Sequence, residues 1–182
     1  MKKEKNEAEY AKYLRRARGA DLQDLEALKV MFKSGMDNLG RTVLVFIPAN
    51  LPAKPDWDRL MLLIIRKCDI EVMKPFVFVY FHPRDTKKRP EFGWLRNMWS
   101  NILVRKYKKN VQYIYVVHPT MWIKALIVFL RPFVSTKVWR KLVQVEHVTD
   151  LNSCIASLEV PPHVLEYDQK YNQSIFDFRK AE

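Results

Sequence analysis

The sequence predicts an α/β domain built on a mainly parallel sheet flanked by helices, and three observations carry that reading. Short apolar runs rich in β-branched and aromatic residues recur at Thr42–Ile47, Phe76–Phe81 and Tyr113–Val117, without polar alternation, as expected of strands buried on both faces. The segments between them have helical periodicity and are far longer than hairpin turns, so consecutive strands run parallel. The chain of 182 residues, 48% apolar and 13% aromatic, is long enough for one substantial core and marginal for two.

Taken in order, Tyr10, Tyr13, Leu14 and Ala17 share one helical face. Asp21 is placed to cap a second helix with the stripe Leu22, Leu25, Leu28 and Phe32, and Gly35 or Gly40 marks its exit. After the first strand, Trp57, Leu60, Met61, Ile64, Ile65, Cys68 and Val72 fall on one helical face until Pro75 stops the helix. Phe92, Leu95, Met98, Trp99, Ile102 and Leu103 repeat the pattern before the basic run Arg105–Lys109. Thr120 is placed to cap a further helix, and Leu142–His147 reads as a fourth strand. Right-handed crossovers would lay helices over the faces of the sheet, while the strand order is not readable from the pattern. No repeat, low-complexity tract or Gly/Ser linker interrupts the chain. The expected organisation is an N-terminal helical extension over residues 1–38, the α/β domain over 39–168, and a polar tail over 169–182 in which Phe176 and Phe178 are candidate docking points.

The net charge of +12 is regional. Between Arg84 and Lys141 stand fourteen Lys and Arg against Asp85 and Glu91, a difference equal to the whole excess. A localised positive face would suit a phospholipid surface or nucleic acid; the same residues dispersed over helix backs would merely solvate them. Cys68 and Cys154 are too few for a disulfide scaffold and too far apart in sequence for a paired metal motif, so both read as small core side chains in a reduced, intracellular protein. The charged N-terminus has no apolar stretch of the secretory type.

Two strands end alike, Phe76–Phe81 in His82-Pro83 and Tyr113–Val117 in His118-Pro119. Ligands collect beyond the carboxyl ends of parallel strands, so this pair would suit general acid–base chemistry or metal binding. No adjacent carboxylate, nucleophile elbow or His-Glu-x-x-His helix completes such a site, and strand-end histidines satisfied by backbone groups explain the pattern equally. No Gly-rich phosphate loop follows any strand. The expected protein is not an enzyme, needs no metal or cofactor, and has no recognition motif for a specific nucleic acid.

Thr120–Val134 is the most informative stretch. Its helix is apolar on nearly every side, with Lys124 and Arg131 seven residues apart and hence roughly on one face, and it is too short and interrupted to cross a bilayer. It reads either as a buried core helix, or as one with a face on the core and the other lining an apolar cavity or touching lipid.

Gly40-Arg41-Thr42-Val43, Tyr107-Lys108-Lys109-Asn110, Val117-His118-Pro119-Thr120 and Arg131-Pro132-Phe133 resemble the divergent branch of the CRAL-TRIO lipid-binding family. That branch is found in Rho-GTPase-activating proteins and beside macro domains in ganglioside-induced differentiation-associated proteins. Tyr13-Leu14-Arg15-Arg16-Ala17, Ser34-Gly35-Met36-Asp37-Asn38-Leu39-Gly40-Arg41 and Pro161-Pro162-His163-Val164-Leu165-Glu166-Tyr167-Asp168 are most similar to the macro-linked kind. The resemblance spans Tyr10 to Asp168 and implies an apolar pocket between sheet and helices, holding a phospholipid or other lipid behind a gate helix. Met121, Trp122, Ala125, Leu126, Val128, Phe129 and Phe133 would then supply pocket or gate contacts. Lys124, Arg131, Lys137, Arg140 and Lys141 would meet a head group or an anionic membrane. The expected protein is cytoplasmic and reversibly membrane-associated. The competing expectation is a protein-interaction scaffold with a vestigial pocket, binding a small GTPase or itself, as some members of this branch do.

Overall fold

The computed structural model describes residues 2–82 and 90–170. Arg84, Lys87, Lys88, Arg89 and Asp85 of the basic stretch, and Tyr171–Glu182 with Phe176 and Phe178, lie outside the described residues. Five strands, β1 (Met31–Met36), β2 (Thr42–Phe46), β3 (Phe76–Phe81), β4 (Val111–Val117) and β5 (Leu142–Val145), lie side by side in sequence order. β2 to β5 are parallel and β1 is antiparallel to β2.

The antiparallel edge corrects the expected N-terminal organisation. After helix α1 (Lys2–Gly19), helix α2 stops at Ala27 (Gln23–Ala27), and the chain turns at Lys29 with φ 50°. Phe32 therefore belongs to a strand rather than to a helical stripe that runs on from Leu22. The edge of β2 decides this, since Ile47 N donates to Val30 O at 2.8 Å and Met31 pairs with Phe46. Ladder hydrogen bonds outweigh a weak local periodicity. The register slips between Lys33 and Met36, where Gly35 has φ 65°, a bulge that twists this edge. The edge is covered as well: Glu159 N donates to Ser34 Oγ at 2.6 Å and Ser157 Oγ to Met36 O at 3.4 Å.

Three crossovers return the chain from each parallel strand to the next. They run through α3 (Trp57–Cys68), then α4 (Phe92–Asn97) with a π-helical turn Met98–Ile102 and α5 (Arg105–Asn110), and then α6 (Met121–Leu130) with the short α7 (Thr136–Trp139). All of them pack on one face of the sheet, the face of Leu44, Phe46, Phe76, Phe78, Tyr80 and Val116. Strands added always on the same side by crossovers of one hand leave the helices no other place. The opposite face, with Val43, Val45, Val77, Val79 and Val117, is covered by the chain after β5, through Val148, Leu151, Ile155 and Val164. Val164 lies on helix α8 (residues 162–170).

α1 makes a third layer over α3, with Tyr10 and Ala17 buried between them. It is fastened at both ends of the contact. Arg66 donates to Ala20 O at 3.0 Å, satisfying a carbonyl just past the end of α1. Tyr10 OH donates to Asp69 Oδ1 at 2.6 Å, Lys106 Nζ reaches the same oxygen at 2.5 Å, and Tyr107 OH lies 3.0 Å from Tyr10 OH. Since the one hydroxyl hydrogen of Tyr10 points to Asp69, Tyr107 donates to Tyr10. Burial alone would raise the Asp69 carboxyl, but Lys106 and Tyr10 outweigh it and hold it below the ordinary carboxylate range.

Candidate ligand cavity and gate helix

An apolar cavity of about 240 Å³ lies between the helical face of the sheet and the crossovers. Its floor is Phe46, Phe78, Tyr80, Ile114 and Val116; Ile64 and Cys68 of α3 close one side, and Trp94, Met98 and Trp99 of the second crossover close another. The π-helical turn carries Met98 and Trp99 into this wall, a distortion of the kind that recurs where helices border sites. α6 closes the cavity through Ile123, Leu126, Ile127 and Leu130. Burial pushes the Cys68 thiol up, so it is an inert wall group.

On the outer side of α6 runs a second void, an open groove of about 660 Å³ lined by Pro90, Glu91, Phe92, Trp122, Ala125, Leu126 and Phe129. Pro90 and Leu126 line both voids and separate them. The outward face of α6 is apolar rather than polar: Met121 is 79%, Val128 66% and Phe129 68% exposed. Phe133, in the 3-10 turn that follows, packs edge-on against Phe92, with the Arg96 guanidinium 4.6 Å from its ring centre.

The expected pocket residues thus divide. Leu126 lines the cavity; Trp122, Ala125 and Phe129 line the groove; Met121, Val128 and Phe133 face outward. On α6 itself, Ile123, Ile127 and Leu130 also line the cavity and are not among the expected pocket residues. A helix apolar all round gives no phase to the eye, and only the sheet beneath it fixes which stripe turns inward.

The cations also divide. Lys124, Arg131, Lys137 and Arg140 are exposed, with Lys124 in α6 and the others beyond its C-terminal end. Lys141 is half-buried and donates to Val111 O and, at 3.5 Å, to Lys109 O, so it staples the start of β4 instead of pointing outward. Lys108 lies 5.4 Å from the Trp99 ring.

The two strand-end histidines are buried on different partners, which corrects both the expectation of backbone satisfaction and that of a missing carboxylate. His82 bonds Tyr80 OH through Nδ1 at 3.1 Å and Thr120 Oγ1 through Nε2 at 2.9 Å, and stacks on Trp122. Thr120 occupies the N-cap position of α6, but its hydroxyl meets His82 and makes no bond to the helix backbone. His118 has φ 55°, and its Nε2 meets Asp168 Oδ1 at 2.7 Å while Tyr167 packs edge-on against its ring. Strand alternation would have set His118 beside His82; the left-handed turn swings it to α8. Asp168 also accepts from Val148 N at 3.1 Å, so it joins α8 to the end of the sheet. The carboxylate is hidden in sequence because it stands fifty positions after His118. The histidines do not form one site. Among the described residues no cluster of His, Cys, Asp and Glu could hold a metal ion, and no helix is long and apolar enough to cross a membrane.

The chain is 38% identical over 171 residues to ganglioside-induced differentiation-associated protein 2 of Xenopus tropicalis, covering 92% of this chain and 34% of that protein. It is 37% identical over 147 residues to the Rho GTPase-activating protein gacY of Dictyostelium discoideum, covering 80% of this chain and 20% of that protein. It therefore spans between a fifth and about a third of the length of these relatives. The crystal structure of Sfh5 shares the fold, with a TM-score of 0.56 at 11% identity over 78% of this chain and 57% of that one. The sequence pattern of the divergent CRAL/TRIO domain matches residues 40–170, and the chain belongs to that family of generally lipid-binding domains.

Proposed function

We propose that this domain binds a lipid in the cavity beneath α6 and docks reversibly on anionic membranes, within the cytoplasm, through α6 and the cations around it. The observation that carries the reading is the position of α6, with an apolar cavity on one side and an exposed apolar face on the other. An apolar patch left exposed among the described residues suits a contact surface, and one flanked by Lys124, Arg131 and Lys137 suits an anionic leaflet. The mechanism is exchange or sensing: α6 meets the bilayer with Met121, Val128 and Phe129 and gives way at the Leu126–Pro90 wall. No covalent step is involved.

The test is co-sedimentation with vesicles containing anionic phospholipid. Lys124→Glu with Arg131→Glu weakens binding at low salt by about fivefold or more per charge, each basic side chain near an anionic surface being worth about 1 kcal/mol. The difference shrinks as salt screens the wild-type attraction. Unchanged binding at low salt would remove these cations from the docking surface.

A second reading, protein interaction, is favoured by a separate surface. Leu39, Ile70 and Met73 are exposed where the chain enters β2 and β3, at the end of the parallel strands away from Thr120. One relative is named a Rho GTPase-activating protein, so a small GTPase is the partner to try in a pull-down. Loss of capture on Ile70→Asp with Met73→Asp, with vesicle binding retained, would assign this surface to a protein.

A further inference from the structure

The size and lining of the cavity say what kind of lipid it takes, and this inference rests on the lipid-binding reading. An enclosed apolar void of about 150 Å³ holds one benzene, six heavy atoms. By that measure 240 Å³ holds on the order of ten. The cavity also falls just short of the lower end of drug-sized pockets, about 300 Å³. Two acyl chains and a glycerol backbone do not fit within it while α6 is in place.

The lining chemistry points the same way. The wall is hydrocarbon, thiol, thioether, indole and the two phenols Tyr80 and Tyr107, whose hydroxyls are already engaged with His82 and Tyr10. Among the described residues no Lys or Arg lines either void, and the one charged group at the groove is the carboxylate of Glu91. None of the described lining residues selects a phosphate, and burying one without a partner carries a large desolvation cost. Lys124 and Arg131 line neither void, which suits them to the proposed membrane contact. The wall shared by both voids, Leu126 and Pro90, places the way in at the groove.

We infer that the ligand of the closed domain is a single hydrocarbon chain of about ten carbons, inserted methyl end first past Leu126, with its polar end left in the groove. Such a chain comes from a free single-chain amphiphile or from an acyl group carried on a protein, and the cavity wall reads the same chemistry in both.

The test is a titration of the protein with n-alkanols from six to sixteen carbons, followed by calorimetry and by the fluorescence of Trp94 and Trp99 in the cavity wall. Affinity rises about fourfold per methylene while the chain is being buried, and levels off near ten carbons, where the cavity is full. Val116→Phe, which fills the floor, moves the break to a shorter chain; the break in the wild-type protein stands as the test if that variant does not fold. An N-decanoylated peptide is compared with decanol, and the tighter of the two names the source of the chain. An affinity that climbs without a break to sixteen carbons overturns the proposal, because the chains then adsorb on a surface. So does stoichiometric extraction of dioleoyl phosphatidylcholine from vesicles that decanol does not compete for, an outcome that leaves lipid binding standing. Failure of both alkanol and phospholipid to bind removes the lipid-binding reading itself.

Discussion

α3 and α6 are crossovers on the same face of the same sheet, and they are held in opposite ways. α3 is buried on both sides, Leu60 through Ile65 all being inside, because α1 covers the side that the sheet does not. α6 is the more apolar of the two in sequence, yet it buries only Ile123 and Leu126 and leaves Met121, Val128 and Phe129 in solvent. Their ends differ too. Asp56 caps α3 by accepting from Asp58 N and Arg59 N, both at 3.0 Å, and Asp69 closes it against Lys106 and Tyr10. The Thr120 hydroxyl leaves the start of α6 for His82. Apolar content therefore does not decide burial; the presence of a covering layer does. A helix packed on one side over a cavity has fewer buried contacts to resist local opening than one buried on both sides.

The largest effect expected from this contrast is in α3. Leu63→Ala, at a fully buried position, costs about 2–5 kcal/mol in urea denaturation. A loss under about 1 kcal/mol would mean that α3 sits more loosely than its burial implies.

Next comes the fastening of α3. Asp69→Asn costs about 1–3 kcal/mol near neutral pH by leaving Lys106 and Tyr10 without their charged acceptor. The sign with pH follows from a folded carboxyl held below its ordinary value. Its contribution is complete above about pH 4, the ordinary carboxylate range, and is lost as pH falls through the lower folded value. The gap between wild type and Asp69→Asn is thus constant from about pH 5 to 8 and closes as pH falls below the ordinary carboxylate range. A gap that widens on acidification would refute the assignment.

Thr120→Val, which removes one hydrogen bond at the start of α6, costs about 1 kcal/mol and raises amide exchange in α6 more than in α3. Equal acceleration in both helices would show that they open together. The smallest change is Phe129→Ser on the exposed face, within about 0.5 kcal/mol in stability. The same substitution reduces vesicle binding, and a variant that is destabilised instead would place Phe129 in the core.

Much of the frame was legible because strands buried on both faces announce themselves as uninterrupted apolar runs. The starts of β2 and β3, and the helices after Trp57 and Phe92, lie where periodicity put them. β1 was not legible: Met31–Met36 has no strand pattern of its own and is a strand because β2 offers an edge and Gly35 permits the bulge. Nor was the partner of His118, since nothing local ties Asp168 to it.

The sequence by itself determined the class of fold, the family, the regional charge and the presence of one helix too apolar for an ordinary surface. Those properties are written in local composition and spacing, where each residue contributes without reference to distant ones. The tertiary structure alone decided that all three crossovers share one face, that Ile123, Ile127 and Leu130 turn inward while Met121 and Phe129 do not, and that the cavity beneath α6 is about 240 Å³. Helix phase and cavity size are set by what packs opposite, and that is known only once distant segments have met.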